Sequence, residues 1–337
     1  MSRIRSGAPP PAESVPSPLP RPDRWHRRLI VLAVVMAALA VVAVVLAIVD
    51  PREILGQNAW FKPLKFALSI AIYAVTMAWL IGQVRHRRRV ADILGTVTAL
   101  ALLIEIVIIV GAAAAGTTSH FNIATPLNTT LWVIMAASIT VVWIATLLVG
   151  VVVAINPGPD RARNLAVRAG VVLGLVGMAL AFLMTGPRED QISDFQGIAG
   201  AHAVGVADGG PGLPFFGWST EGGDLRVPHF IGLHALQAIP LGLLVLELLS
   251  RRVAVLRSGR VRFRLVVVGS LAFAAMLGIV TWQALIGEPI VRPSAPVVGA
   301  GVTTVVAAVV ATIAVLASAS RPPRAVVRRE PAPSDDR

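Results

Sequence analysis

The segment VPHFIGLHALQ (227–237) places two histidines, His229 and His234, at the start of a long apolar run. Histidine is the commonest metal ligand and titrates near neutral pH. On a continuous helix, five residues turn through about 500°, so the two imidazoles point about 140° apart. The pair therefore does not form a two-histidine metal clip of the i, i+4 kind, and a bound metal or haem would need a ligand from another segment.

His234 lies about 9 Å from the start of the run at Pro228. His229 is expected at the water interface and is also a candidate ligand-binding residue. Gln237 follows His234 by three residues and shares its helix face. Ionisable residues inside an apolar span are candidates for function. We therefore predict that His234 and Gln237 form a polar notch that binds a ligand, with Pro240 kinking the helix one turn later.

Glu105 is the second ionisable residue inside an apolar run, which extends over residues 91–113. It lies about 12 Å from the end of that run, a depth close to that of His234. The distribution of Lys and Arg among the loops assigns the end of this run and the start of the run at Pro228 to the same side of the membrane. An unpaired charge is costly at such depth, so the sequence predicts a Glu105–His234 pair between the third and sixth helices.

The segment NAWFKPLKF (58–66) carries the only two lysines of the chain, Lys62 and Lys65. Their charges oppose the dipole of the helix that begins here. Two interpretations remain open. The lysines bind an anion together with nearby helix N-termini, or they form salt bridges with acids of the outer loops while their alkyl chains pack against apolar surface.

The segment TTSHFNIATPLN (117–128) joins the third and fourth apolar runs. His120 and Asn122 are candidate ligand-binding residues facing the same cavity as His234. The alternative is a simple turn in which Thr125 caps the helix that follows. His234, His120 and His202 are the candidate metal or haem ligands.

The composition of the chain indicates that these residues lie on or beside transmembrane helices. The chain has 337 residues, of which 55% are hydrophobic and 14% charged, with a mean hydropathy of +0.76. The apolar residues form blocks of about 20, the length that crosses a bilayer as a helix. The predicted fold is an all-α polytopic transmembrane bundle with about eight spans, near 29–49, 63–84, 91–113, 127–154, 166–186, 229–250, 263–286 and 297–318.

Proline marks the start of every second predicted span. It is favoured at the first helical position, where the missing N–H costs nothing. The sequence therefore predicts first-position prolines in the second, fourth, sixth and eighth spans, at Pro63, Pro126, Pro228 and Pro296.

The charge distribution predicts the topology. All but six of the 30 Lys and Arg residues fall in the two tails and in alternate loops, as expected for cytoplasmic segments. We therefore expect a multi-pass protein of the inner (cytoplasmic) membrane with both termini in the cytoplasm. The net charge of +12 is explained by these loops, which favours contact with anionic lipids over nucleic-acid binding. His26 and His86 lie among these arginines, and no role in a site is expected for them.

The predicted domains follow from this topology. Residues 1–27 are a basic, Pro-rich cytoplasmic tail expected to be disordered. Residues 28–320 form the transmembrane domain, and residues 321–337 form a polar cytoplasmic tail. The loop 187–228 is long, Gly-rich and aromatic, so we interpret it as a packed lid over the outer helix ends, the alternative being a flexible spacer. Its acids are expected to be solvated because they lack EF-hand spacing: Asp208, Glu221 and Asp224.

Three segments carry a resemblance: residues 200–237, NAWFKPLKFALS (58–69) and SHFN (119–122). On these residues the chain resembles a group of uncharacterised bacterial multi-span membrane proteins. The resemblance covers most of the membrane region and neither tail. It implies an integral membrane fold and no known activity, so it assigns no functional residues.

Two functions fit the sequence best. The first is binding or transport of a small polar or anionic ligand in an outer-half cavity lined by His234, Gln237, Glu105 and the two lysines. The alternative is a redox protein that holds haem b or a metal through outer histidines. A membrane enzyme ranks lower because no activated nucleophile is evident, and a structural or sensory role is the fourth hypothesis. The chain has no cysteine, which excludes disulfides, thiol nucleophiles and Cys-ligated metals.

Overall fold

The computed structural model describes residues 24–319, so the predicted tails lie outside it except for residues 24–27. The all-α prediction is confirmed, since strand is limited here to two pairs of two-residue strands. The described residues form α1 (Arg27–Val49), α2 (Phe61–Gln83), α3 (Arg88–Ala114), α4 (Pro126–Ala154), α5 (Arg161–Ala179), α6 (Glu189–Ser193), α7 (Arg226–Leu233), α8 (Ala235–Leu249), α9 (Gly259–Leu285) and α10 (Ala295–Ala319). The strand pairs, both antiparallel, are β1 (Glu53–Ile54) with β2 (Gln57–Asn58) and β3 (Ala203–Val204) with β4 (Gly223–Asp224).

Seven helices of the described chain are long and apolar enough to cross a membrane, or eight if α7 and α8 count as one bent span. The predicted sixth helix is therefore two helices, bent by 43° at His234. Pro240 lies inside α8 rather than at the bend. A proline disturbs the turn that precedes it, which places the break N-terminal to Pro240.

Three of the four prolines predicted at the first position of a helix lie one or two residues further along it. Pro126 is the first residue of α4, as predicted, but Pro63 and Pro228 are the third residues of α2 and α7, and Pro296 is the second of α10. The first backbone N–H groups of a helix all lack intrahelical partners. Proline is tolerated throughout this first turn, so its position does not identify the first helical residue.

The chain divides into two compact units. Within the described residues, the first unit comprises 24–157 and Pro187–Gly200, and the second comprises Gly158–Gly186 and 201–319. The loop interpreted as a single lid is therefore shared between them, with its division after Gly200. The part of the loop before Ala201 makes backbone hydrogen bonds within the first unit, and the part after Gly200 makes them within the second.

The first unit is built from α1–α4. Helix α1 packs along α2, and α3 packs along α4. Large apolar side chains such as Met36, Met77 and Ile109 are almost completely buried between them. Polar contacts inside this unit are few and specific: the Tyr73 and Thr146 hydroxyls lie 2.6 Å apart in the interior, between α2 and α4.

The second unit is organised around α5, which packs against α7, α8 and α9. Helices α5 and α7 approach so closely that a Cβ on Gly177 would lie 2.1 Å from the carbonyl carbon of Gly232. Nearer the arginine-rich end, Arg163 on α5 and Glu247 on α8 form an ion pair of 2.7 Å. Backbone proximity and one ion pair thus fix α5 against its neighbours.

The outer surfaces of α9 and α10 are apolar. In the most apolar stretch of α10 none of the residues is buried (0%), and in that of α9 only 17% are. Large side chains such as Val302, Val309 and Ile313 are more than half exposed. Exposed apolar faces of this extent suit lipid better than water.

The Gly177–Gly232 crossing can be tested by adding a methyl group. We expect Gly177→Ala to lower the stability of the purified protein by about 1–3 kcal/mol, since α5 and α7 must separate. The matched control is Gly269→Ala in α9, where no atom lies within 4 Å of the added Cβ. Thermal unfolding in detergent measures both, and equal melting temperatures for the two variants would contradict the role of the crossing.

Candidate functional site

Glu105 is the buried carboxylate of the first unit. Its side chain is 4% exposed on α3, and its Oε1 lies 3.6 Å from Nε2 of His120. The second oxygen, Oε2, is buried without a hydrogen-bond partner in the described residues. A buried polar atom without a partner costs free energy, so this oxygen is the group most able to accept a bond from a ligand.

Aromatic rings surround the imidazole of His120. Its ring centroid lies 5.5 Å from that of Phe66, 5.6 Å from that of Trp132 and 6.1 Å from that of Phe121. The Oγ atom of Ser119 lies 3.0 Å from Nδ1 of the same ring. The imidazole is therefore held on several sides, with its Nε2 edge directed to Glu105.

The backbone beside His120 adopts an unusual conformation. Phe121 has a φ of 62° although it is a bulky residue and only 4% exposed. Non-glycine residues in the left-handed region cost about 1–3 kcal/mol and cluster at functional sites. The strained turn buries Phe121 and keeps the preceding His120 ring against Glu105.

Asn122 stabilises this loop. Its Nδ2 group donates to Thr117 and Thr118, and its Oδ1 accepts from the backbone N–H of Ala124 and the amide of Asn128. Each donor and acceptor of a single amide side chain is thus used within the loop. The structure therefore shows Asn122 ordering the loop, and the ligand-binding role that the sequence predicts for it stays a prediction.

The first half of the predicted lid covers this loop. The backbone N–H of Ile123 donates to Gly197 O at 2.8 Å, and that of Ala199 donates to Phe121 O at 2.9 Å. Gly197 has a φ of +82°, and a Cβ there would lie 2.6 Å from the Cβ of Ala124. Residues 196–199 therefore pack on the His120 loop as ordered structure rather than as a spacer.

Lys62 belongs to the same site. It is half-buried in the first turn of α2, and its positive charge acts favourably on Glu105. Lys65 lies three residues further along the helix and is also half-buried. Asp50, which the sequence makes a candidate partner of the lysines, instead forms an ion pair with Arg52 at 2.7 Å. Hydrogen bonds from Arg52 and Trp60 hold the pKa of Asp50 well below its usual range.

The second unit contains the predicted polar notch of His234 and Gln237. His234 Nδ1 lies 3.2 Å from Gln237 Oε1, so the contact predicted from their i, i+3 spacing is present. The His234 ring also meets Phe230 edge-on at 4.5 Å, and Trp218 and Phe216 extend this aromatic cluster into the loop. The Nε2 atom of Gln237 is buried without a partner in the described residues.

His229 makes a contact with α5 that the sequence does not predict, while its place at the water interface stays a prediction. Its Nδ1 lies 2.8 Å from the carbonyl oxygen of Gly177, in the last turn of α5. The carbonyls of a last helical turn have no partner within their own helix. His229 therefore donates its Nδ1 proton to one of them and links α7 to α5.

Two of the three loop acids, Asp208 and Asp224, are bonded and partly or fully buried rather than solvated as predicted, whereas Glu221 is exposed as expected. The buried carboxylate of Asp224 forms an ion pair of 2.6 Å with Arg226 and accepts the N–H of Ser219. Asp208 accepts the backbone N–H groups of His202 and Ala203 and lies 2.7 Å from His202 Nδ1. Burial by itself raises the pKa of Asp208, but the bonds from His202 and Ala203 outweigh it and hold that pKa below its usual range.

These contacts bear on the metal hypothesis. Nowhere in residues 24–319 do three or more His, Asp or Glu side chains form a group that could hold a metal ion. His202 is engaged with Asp208, His234 with Gln237 and His120 with Ser119 and Glu105. The described part of the chain therefore offers no donor set for a metal with three or more protein ligands. Haem needs only one or two imidazoles, so the haem b alternative stays a prediction.

The site residues thus fall into two groups, with Glu105, His120 and Lys62 in the first unit and His234 and Gln237 in the second. The pair predicted between Glu105 and His234 joins residues of different units and stays a prediction. The contact of Glu105 with His120 was not predicted from the sequence. It depends on the turn at Phe121, and no local sequence pattern identifies that turn.

Sequence reasoning also missed His26. Its Nδ1 accepts the N–H of Leu29 and caps α1, while its Nε2 donates to the carbonyl of Asp92 on α3. Burial lowers the pKa of this imidazole, which agrees with a neutral ring bonded on both sides. No local signal reveals the contact, because Asp92 is 66 residues away.

No protein-family model, curated protein or solved structure matches the chain. Function is therefore inferred from the side-chain geometry of the two units.

The Asp208 turn gives a pH-dependent prediction. Asp208→Asn should cost about 2 kcal/mol at neutral pH, or roughly 4–8 °C in melting temperature, because charge-assisted bonds are lost. The ionised form is favoured by folding, so this advantage is fully present above the ordinary pKa of 3.8 and is lost as the pH falls below it. Melting curves in detergent between about pH 7 and pH 3 should show the gap narrowing, and a constant gap would contradict the assignment.

The partner of Glu105 can be identified by double-mutant cycles. Glu105→Gln and His120→Gln, made singly and together, should be coupled by about 0.5–3 kcal/mol in thermal stability, as expected for residues in contact. The parallel cycle with His234→Gln tests the pair predicted from depth. Additive effects of Glu105→Gln and His120→Gln would show that the 3.6 Å contact does not stabilise the fold.

Proposed function

We propose that the chain is a multi-pass protein of the bacterial inner membrane with both termini in the cytoplasm, and that it binds or transports a small polar ligand. The membrane location is supported by the seven long apolar helices and the exposed apolar faces of α9 and α10. The orientation is supported by the concentration of arginines in the tails and alternate loops.

The observation that carries the ligand-binding proposal is the environment of Glu105. Its Oε2 is buried without a hydrogen-bond partner in the described residues, while Oε1 lies 3.6 Å from His120. A carboxylate placed this deep in an apolar helix is costly to retain unless it is used. The open oxygen accepts an O–H or N–H group, so the ligand carries at least one such donor.

The neighbours of Glu105 narrow the ligand class further. Phe66 and Trp132 present aromatic rings beside His120, which suits a small molecule with an apolar or flat body. Lys62 supplies a positive charge close to Glu105. A ligand with a hydroxyl or amine donor and a negative group matches both charges, which agrees with the polar or anionic class expected from the sequence.

His120 and Glu105 also suit proton-linked binding. Imidazole exchanges protons near neutral pH, and a carboxylate 3.6 Å away stabilises the protonated ring when both are charged. Binding of a ligand that donates to Glu105 competes with this contact. Coupling of ligand binding to protonation therefore follows from the geometry and is a common basis of membrane transport.

A ligand screen tests the proposal. The full-length protein in nanodiscs is screened by thermal shift against hydroxy acids, amino acids, amino alcohols and polyols. We expect one class to raise the melting temperature and Glu105→Gln to weaken its binding about 10- to 100-fold, since bonds to charged groups contribute about 1.5–3 kcal/mol. Uptake into proteoliposomes then separates transport from binding.

The matched control is Glu53→Gln, which removes the same charge from an exposed position in β1 of the same unit. This variant should bind like the wild type. The proposal fails if no class stabilises the wild type, or if Glu105→Gln and Glu53→Gln bind the stabilising compound equally well.

A further inference from the structure

A cavity of about 720 Å³ lies in the first unit between the first turns of α1 and α3. None of the predicted ligand-binding residues lines it. Its walls carry basic side chains at one end and apolar side chains at the other: Trp25, His26, Arg27, Arg28, Arg88, Arg89, Asp92, Ile93, Thr96 and Val97.

The position of the cavity is set by the docking of His26 onto α3. The ring is 6% exposed and bonded to Asp92 O at 2.9 Å. Gly95 makes room for it, since a Cβ there would lie 3.0 Å from Cδ2 of the ring and 2.7 Å from Ile81. The floor of the cavity is therefore closely packed and hydrogen-bonded, whereas its rim is formed by long side chains.

Only one of the four rim arginines has a carboxylate partner among the described residues. Arg28 donates to the neutral hydroxyl of Thr96 at 3.0 Å, and Arg88 pairs with Asp92, the one carboxylate among the lining residues. Arg27 and Arg89 are exposed, and their guanidinium groups form no hydrogen bond or ion pair with another described residue. The cavity thus holds more positive charge than its own groups balance.

Two helix N-termini add to this imbalance. Helices α1 and α3 both begin at the cavity, and neither has an acidic residue in its first turn. A helix N-terminus carries partial positive charge and favours anions. Arginines placed there oppose the dipole, so this arrangement favours the binding of an external anion.

The apolar end of the cavity indicates what carries that anion. Ile93 and Val97 lie one and two turns along α3 from Arg89, with 56% and 38% of their surface exposed. On α1 the exposed Val31 and Val34 follow Arg27 and Arg28 in the same direction. A charged rim that continues into exposed apolar surface matches an amphiphile whose headgroup is negative.

We propose that this cavity binds the phosphate of an anionic phospholipid, with Arg27 and Arg89 as its principal ligands and Ile93 and Val97 against the acyl chains. Guanidinium groups bind phosphate through paired N–H bonds, and both groups are exposed at the rim. The site is separate from Glu105 and His120, so it stands whether or not the ligand-binding proposal holds.

The test compares lipids and variants of the full-length protein in detergent micelles. Phosphatidylglycerol, phosphatidylcholine and inorganic phosphate are titrated while thermal stability and bound lipid are measured, the latter by native mass spectrometry. We expect phosphatidylglycerol to bind in preference to phosphatidylcholine. Arg27→Gln/Arg89→Gln should weaken this binding about 10- to 30-fold, given the contribution of each arginine at an anionic surface.

The matched control is Arg251→Gln/Arg252→Gln, which removes two exposed charges that do not line the cavity. It should retain the lipid preference, and Arg27→Lys/Arg89→Lys should retain only part of it, because lysine lacks the guanidinium fork. Equal binding of the two phospholipids, or equal loss in the cavity and control variants, overturns the proposal. If inorganic phosphate stabilises the protein as much as phosphatidylglycerol does, the site binds free phosphate and the proposal of a lipid ligand is wrong.

Discussion

The cost of burying a polar group among apolar helices is the constraint on which the rest of this structure depends. No water is available inside such a bundle, so each buried donor or acceptor needs a partner from the chain or from a ligand. Glu105 meets this requirement only in part, because His120 lies beside one carboxylate oxygen while the other has no bond to a described residue. That incomplete pairing is the reason for which Glu105, rather than a fully bonded polar residue, is proposed to bind a ligand.

The same constraint explains the residues that order the loops. Asn122, Asp208 and Asp224 each accept backbone N–H groups where the chain turns, and each is fully or largely engaged. Loops built this way need buried polar side chains rather than a large apolar core. They keep the Gly-rich segment against its two units and bring His120 to Glu105, so loop structure and site geometry have one physical origin.

The helices were predictable from sequence, and the site was predictable only in part. Length and hydropathy are local properties, which is why α2, α3 and α4 begin and end within a few residues of the predicted spans. The His234–Gln237 contact was also accessible, because spacing along one helix determines it. Pro240 predicted a kink in this helix, but the position of the bend at His234 was not accessible from sequence, since it accompanies the close approach of Gly177 and Gly232, which are far apart in the chain.

The local sequence accounts for the all-α chain and the candidate spans, because hydrophobicity and helical rise act residue by residue. Only the tertiary structure decided that His120 lies beside Glu105, that His26 joins α1 to α3, and that a cavity opens among Arg27, Arg28, Arg88 and Arg89. These contacts join segments separated by up to 66 residues or depend on one strained turn at Phe121. Pairing between distant segments is set by packing, and packing has no signature in the local pattern of residues.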